Sequence, residues 1–215
     1  MKIRKYPQSC FLIEANNKII LVDPGMLKFQ SEFIDDWCRA DMILITHKHS
    51  DHINAQVIKD LNIPIYATKE VQDTYSDIKF NIVEDGNNLV FDTLKIEVVK
   101  AVHGYNPKLK GKGEVLFNVG YIIDDGKVRF YITSDTICFN NDYKADIVAL
   151  PVTGYGLTMS SYEASLFAID LKAKLVLPSH MDNSVYPTDL KYMEKNFKEF
   201  NINYKVLDIL EDIEV

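Results

Sequence analysis

The run Thr46-His47-Lys48-His49-Ser50-Asp51-His52 decides how the rest of the chain is read. It sets three imidazoles and a carboxylate within six consecutive positions, after the apolar stretch Met42 to Ile45 and ahead of the amphipathic stretch Ala55 to Leu61. That succession predicts a strand, a tight ligand-bearing turn and a helix. Imidazole together with carboxylate suits borderline divalent metals such as zinc, whereas an all-oxygen set would suit calcium or magnesium.

The chain has only 5 histidines. The other two, His103 and His180, follow the apolar runs Ile96 to Val102 and Leu175 to Pro178. Strand ends are where sites assemble in layered α/β folds. A single histidine so placed reads as a surface or core residue, but all of them at strand ends read as a metal site. Asp135, in Thr133-Ser134-Asp135-Thr136 after the strand Val128 to Ile132, falls on the same rim, although a turn or helix N-cap is the ordinary role for such an aspartate. Asp23-Pro24-Gly25 closes an early strand. Its carboxylate is either a turn former or a group that orients a ligand imidazole from behind.

At 215 residues, 47% hydrophobic and 26% charged, the chain has room for a well-buried core, and residues 1–215 read as a single domain. No apolar run reaches the length of a bilayer span and no signal-peptide core follows Met1, so no membrane partner is expected and the cytoplasm is the default location. A net charge of -7 argues against non-specific nucleic-acid binding. Cys10, Cys38 and Cys138 are too few and too widely spaced for a disulfide framework or a zinc ribbon, and are expected to be small buried thiols. A homo-oligomer is compatible with this composition.

In order, Ile3 to Tyr6, Cys10 to Glu14 and Lys18 to Val22 read as strands, the last two joined by an Asn16-Asn17 turn. Ser31 to Trp37 reads as a short helix with Ser31 as N-cap, Ile63 to Ala67 as a strand, and a further helix starts at Thr68 or Lys69. Two hairpins follow, Leu89 to Phe91 with Leu94 to Val102, and Asn118 to Ile123 with Val128 to Ile132. Strand Ile147 to Leu150, helix Ser161 to Leu171, strand Leu175 to Pro178, helix Asp189 to Phe200 and strand Asn203 to Leu207 come next, then a solvated or edge-packing tail, Asp208 to Val215. Two runs of strands with helices between and after them predict two sheets face to face with helices outside.

The Thr-His-x-His-x-Asp-His run, a later lone His, a Ser-Asp-Thr and a late Ser-His together resemble the metallo-β-lactamase superfamily over nearly the whole chain. The opening Ser9 to Glu14 and the segment Leu150 to Gly154 are similar to its branch of small metal-dependent hydrolases that includes L-ascorbate-6-phosphate lactonase. This resemblance implies an α/β fold, an αββα sandwich of two mixed β-sheets flanked by helices, with a two-metal site at one edge. It places His47, His49 and His103 on one ion, Asp51, His52 and His180 on the other, Asp135 between them, and Asp23 and Thr46 behind the ligands. Relatives in that branch often carry His at the position of Gln8, which makes Gln8 a candidate substrate contact. A secreted β-lactamase typically has Cys in place of Asp135, and flavodiiron reductases have Glu in place of His49.

Two divalent ions about 3.5 to 4 Å apart share a water and lower its pKa to near 7. The expected reaction is therefore hydrolysis of an ester, lactone or phosphoester bond in a small molecule by a metal-bridging hydroxide, with Asp51 as the catalytic group that orients it and accepts its proton. Zinc is the expected metal, manganese and iron being compatible. Tyr105, Asn106, Lys108, Lys110 and Lys112 form either a basic loop that recruits an anionic substrate or a solvated charged loop. Thr153 and Thr158, flanking Gly154 and Gly156, are further candidate contacts. A nucleic-acid phosphodiesterase of the same superfamily and a non-catalytic metal-binding sensor or partner protein remain open from the sequence.

Overall fold

Asn16 and Asn17 both take left-handed backbone, at φ 50° and 61°, the geometry a two-residue hairpin turn requires. They join β2 (Phe11–Ala15) to β3 (Lys18–Val22), and β1 (Lys2–Lys5) pairs antiparallel with β2. The computed structural model describes residues 1–111, 113–155 and 157–215; Lys112 and Gly156 lie outside the described residues. The chain continues through α1 (Phe33–Trp37), β4 (Met42–Leu44), α2 (Ala55–Ile58), β5 (Ile65–Ala67), α3 (Lys69–Thr74) and β6 (Asn81–Ile82). Next come β7 (Asn88–Phe91), β8 (Leu94–Ala101), β9 (Asn118–Asp124), β10 (Arg129–Ile132), β11 (Ile147–Pro151), α4 (Ser161–Leu171), β12 (Leu175–Ser179), α5 (Leu190–Glu199) and β13 (Asp212–Glu214).

Two mixed sheets result, ordered β13-β1-β2-β3-β4-β5-β6 and β12-β11-β10-β9-β8-β7. In each, an antiparallel meander passes into parallel strands at β3-β4-β5-β6 and β10-β11-β12. Alternation along the strands divides the side chains between layers. Phe11, Ile13 and Val22 meet Val98, Tyr121 and Ile132 in the core cluster shared by the sheets. Leu12, Leu21 and Ile43 pack outward on Phe33, Trp37 and Ile58 of the first helical layer, while Ile122, Tyr131 and Val148 pack on Phe167 and Phe197 of α4 and α5. The architecture is the αββα sandwich of the metallo-β-lactamase fold. Strands β3, β4, β8, β10 and β12 end on one rim, which is why Asp23, His47, His103, Asp135 and His180 meet there.

Several local expectations are corrected. The first helix spans only Phe33–Trp37, and Ser31 does not cap it: Glu32 holds the N-cap position without a side-chain bond. The backbone turns Phe33 N–H to Gln30 O and Ile34 N–H to Ser31 O close that end instead. The helix expected to reach Leu61 stops at Ile58 and continues as single turns to Asp60 and Leu61. Asn203 to Leu207 is not a strand. Only Tyr204 bridges to Val176, and its ring packs on Phe197 of α5 at 4.9 Å. The acidic tail, expected to be solvated or edge-packing, does the latter: it forms the edge strand β13 against β1, with Asp212 bonded to Arg4 at 2.6 Å. Of the cysteines only Cys10 is buried; Cys38 and Cys138 are exposed.

Candidate metal centre

Four non-glycine residues around the rim take left-handed backbone: Gln8 (φ 59°), Asp23 (48°), Ser134 (64°) and His180 (58°). Each such residue costs of order 1 kcal/mol, and such conformations cluster where a site dictates side-chain direction.

Two sets of ligand-type atoms converge there, His47 with His49 and His103, and Asp51 with His52, Asp135 and His180, each set with its atoms within 4.8 Å of one another. In the first, Thr46 Oγ1 donates to Asp23 Oδ2 at 2.8 Å and so accepts from His47 Nδ1 at 3.1 Å. His49 Nε2 donates to the Gly113 carbonyl at 2.9 Å, and His103 Nδ1 to the Gly104 carbonyl at 3.0 Å. These outer bonds leave His47 Nε2 and His49 Nδ1 as facing lone pairs only 3.1 Å apart. A shared cation or an added proton relieves that repulsion.

In the second set, His52 Nδ1 donates to Asp23 Oδ2 at 2.7 Å, which aims Nε2 at Asp135 Oδ1, 3.2 Å away. His180 Nε2 lies 3.1 Å from Asp135 Oδ2 and 3.3 Å from Asp51 Oδ2. His52 Nε2, His103 Nε2, Asp135 Oδ1 and both ring nitrogens of His180 are buried without a hydrogen-bond partner. Buried polar atoms are nearly always bonded, so this concentration fits residues built to hold a cation.

The charge balance points the same way. Burial and the neighbouring His52 push His47 well below the ordinary imidazole pKa, and burial lowers that of His103, which favours the neutral form of both. Burial also disfavours charge on His52, but Asp135, Asp23 and Asp51 outweigh it and hold its pKa well above normal. For His180, burial is outweighed by Asp135 and Asp51, and the pKa rises to about 9. Burial raises Asp135, yet His180 and His52 overcome it and hold the carboxyl well below its usual range. Two protons thus supply the positive charge these carboxylates demand.

Asp23 and Thr46 stand behind the ligands, Asp23 also accepting from the Thr46 amide at 2.8 Å. Other expected contacts fall elsewhere. Gln8 is fully buried, its amide bonded to Asp51 Oδ2 at 3.1 Å and to the Asp182 N–H at 3.0 Å, so it faces Asp51 and not an open pocket. A hollow of about 230 Å³ beside His103 is lined by Tyr105, Asn106, Glu114, Leu116 and Leu157. Lys108 and Lys110 are exposed outside it, and Lys112 is outside the described residues. Thr153 and Thr158 both donate to the Tyr155 carbonyl, closing a turn, and do not line the hollow.

Sequence reasoning missed the bracing groups. Ser134 donates to Asn118 Oδ1, and Asn118 Nδ2 to the Asp135 carbonyl. The nearly buried Lys48 pairs with Glu70 at 2.6 Å, and Gly25 lies against the Asp51-His52 peptide. A lysine between two ligand histidines was the visible signal for the Lys48-Glu70 pair; nothing local announced the others.

Residues 2–180 match the family model of the β-lactamase superfamily domain. A UPF0173 metal-dependent hydrolase of Nanoarchaeum equitans is 29% identical with 100% of each chain covered, and one of Flavobacterium johnsoniae is 28% identical over the same share. Among solved structures, a metallo hydrolase of the archaeon Ignicoccus hospitalis superposes with TM-score 0.80 at 23% identity, covering 99% of this chain and 97% of that one. An isothiocyanate hydrolase from Delia radicum gut bacteria gives TM-score 0.80 at 20% identity, covering 100% and 99%. These two likenesses establish the fold. The two ligand-type sets are of a kind that could hold the metal for which those UPF0173 relatives are named. The chain belongs to the β-lactamase superfamily.

Proposed function

We infer that the protein hydrolyses an ester, lactone or phosphoester bond of a small molecule at a two-metal site. His47, His49 and His103 would hold one ion and Asp51, His52, Asp135 and His180 the second. The observation that carries this reading is the convergence of buried imidazole and carboxylate atoms that have no other partner. When bound, the metal pair supplies a water acidic enough to ionise near neutral pH and polarises the electrophile. Zinc suits the donor set.

Asp51 is the group placed to manage the proton. Its side chain is 26% exposed where that of Asp135 is 3%, so it faces incoming substrate. Gln8 and His180 engage Oδ2, while Oδ1 accepts no hydrogen bond among the described residues and is free to take a proton from the nucleophile. His52, tied back to Asp23, keeps its ring from rotating as charge develops. The same reading takes residues 1–215 as one domain working in the cytoplasm; no described helix is long and apolar enough to cross a membrane.

The test is a turnover screen of the metal-loaded protein on lactones, carboxylic esters and phosphodiesters. Cleavage of one class that ends on chelation and returns on metal addition is expected. Full metal loading without turnover on any class would instead favour a metal-binding protein that does no chemistry.

A further inference from the structure

A groove of about 670 Å³, ample for a small-molecule limb, opens between α3–β6 and the facing ends of β8 and β9. Its floor is the buried Val83, Ala101 and Val119, and its lip is Leu116 and Phe117, 68% and 64% exposed, with the exposed Ile82 also lining it. Adjacent large apolar side chains left this open mark a binding surface more often than a bare one.

The groove adjoins the hollow beside His103. Leu116 lines both it and the hollow at His103. Asn118, another lining residue, donates to the Asp135 carbonyl at 2.7 Å. The lip is also positioned by the metal-binding turn: Glu70 pairs with Lys48 and accepts from the amides of Leu116 and Phe117 at 3.0 Å, while His49 bonds the Gly113 carbonyl. Charge at the rim is net negative, since Lys48 neutralises Glu70 and Lys69 neutralises Asp73, leaving Glu84 and Asp85 against Lys100.

We propose that this groove is a substrate subsite for an apolar limb, uncharged or cationic at its far end, with Leu116 and Phe117 as the residues that select it. The proposal rests on the hydrolase reading above. A limb seated there crosses Leu116 and delivers its reactive end to the His103 side of the centre. An anionic far end of the limb is disfavoured by the rim carboxylates, and the exposed lysines Lys108 and Lys110 lie outside both cavities.

The probes are n-alkyl hydroxamates, from acetohydroxamate to decanohydroxamate, titrated calorimetrically into zinc-loaded protein. Affinity is expected to rise by about fourfold per methylene until the groove is filled. L116S and F117S, at exposed positions and checked by melting temperature, are expected to flatten that rise, and an ω-carboxylate on the tail to cancel it where an ω-ammonium does not. No binding of even acetohydroxamate would overturn the metal reading and the subsite with it. Binding of the head group with no gain along the series, or a gain that survives both variants, would overturn the subsite alone. So would sedimentation showing a dimer dispersed by F117S, which would give the groove to a second copy of the chain.

Discussion

Gln8 donates from its side-chain amide to Asp51 Oδ2 at 3.1 Å, while its own Oε1 accepts from the Asp182 N–H at 3.0 Å. The second bond fixes which way the amide faces, so the first is directional. Asp182 in turn accepts from the Gln8 N–H at 2.7 Å and pairs with the buried Lys5 at 3.0 Å. A chain of buried polar contacts thus runs from a buried ion pair to a candidate ligand carboxylate.

Removing the amide with Q8L is expected to weaken metal binding by about 10- to 100-fold, as loss of a ligand's outer partner usually does. Q8E puts a second carboxylate beside Asp51 and is expected to lower turnover as well. Competition with a chelating dye measures the first effect and steady-state kinetics the second; wild-type values for both variants would remove Gln8 from the account.

D51N keeps the size of the side chain but loses the charge that accepts a proton. Turnover is expected to fall at least about 100-fold with metal content restored by loading and the melting temperature little changed, because the site lies on loops. Unaltered kcat in the loaded variant would contradict the role given to Asp51.

A Cβ on Gly25 would stand 1.9 Å from the Asp51 carbonyl oxygen and 2.3 Å from its carbon. Neither atom is at the end of a flexible side chain, so the loop carrying Asp51 and His52 must move. G25A is expected to cost about 1 to 3 kcal/mol of stability, as overpacking does, and to lose metal affinity in parallel. A variant with wild-type melting and metal binding would show that the two loops do not brace each other.

Proton release gives a pH signature. In the metal-free protein the neighbouring carboxylates push His180 up to about 9 and hold His52 well above an ordinary imidazole, so both carry protons at pH 7. A cation entering their set must displace those protons, so its affinity is expected to climb with pH up to about 9. The same raised values stabilise the metal-free fold below the ordinary imidazole pKa of about 6.5, and that contribution disappears as pH rises through about 9. Calorimetry at pH 7 in buffers of different ionisation enthalpy counts the released protons, with a count near two expected and a count of zero contradicting the assignment.

The layers and the rim were legible because strand alternation and the five histidines are properties of short segments. His103 and His180 followed apolar runs, and the strands β8 and β12, which run in the same direction within one sheet, carried them to one edge. The lengths of α1 and α2 were not legible, since tertiary packing and backbone turns ended them before their periodicity did. Of the expected strand Asn203 to Leu207 only the bridge between Tyr204 and Val176 forms, an outcome that no local pattern encodes. Gln8 was noticed only as a departure from a resemblance. Its bond to Asp51 depends on a left-handed backbone at φ 59° and on Asp182, far away in sequence. Lys108 and Lys110 are exposed outside the hollow at His103, a placement that loop charge alone does not encode.

Metal stoichiometry in three proteins tests the central claim most directly. Elemental analysis of wild type purified without chelators is expected to give two divalent ions per chain, with H180A and H103A each retaining one. Less than one ion in wild type after metal loading, or two in either variant, would contradict the assignment of these side chains to a paired-cation site.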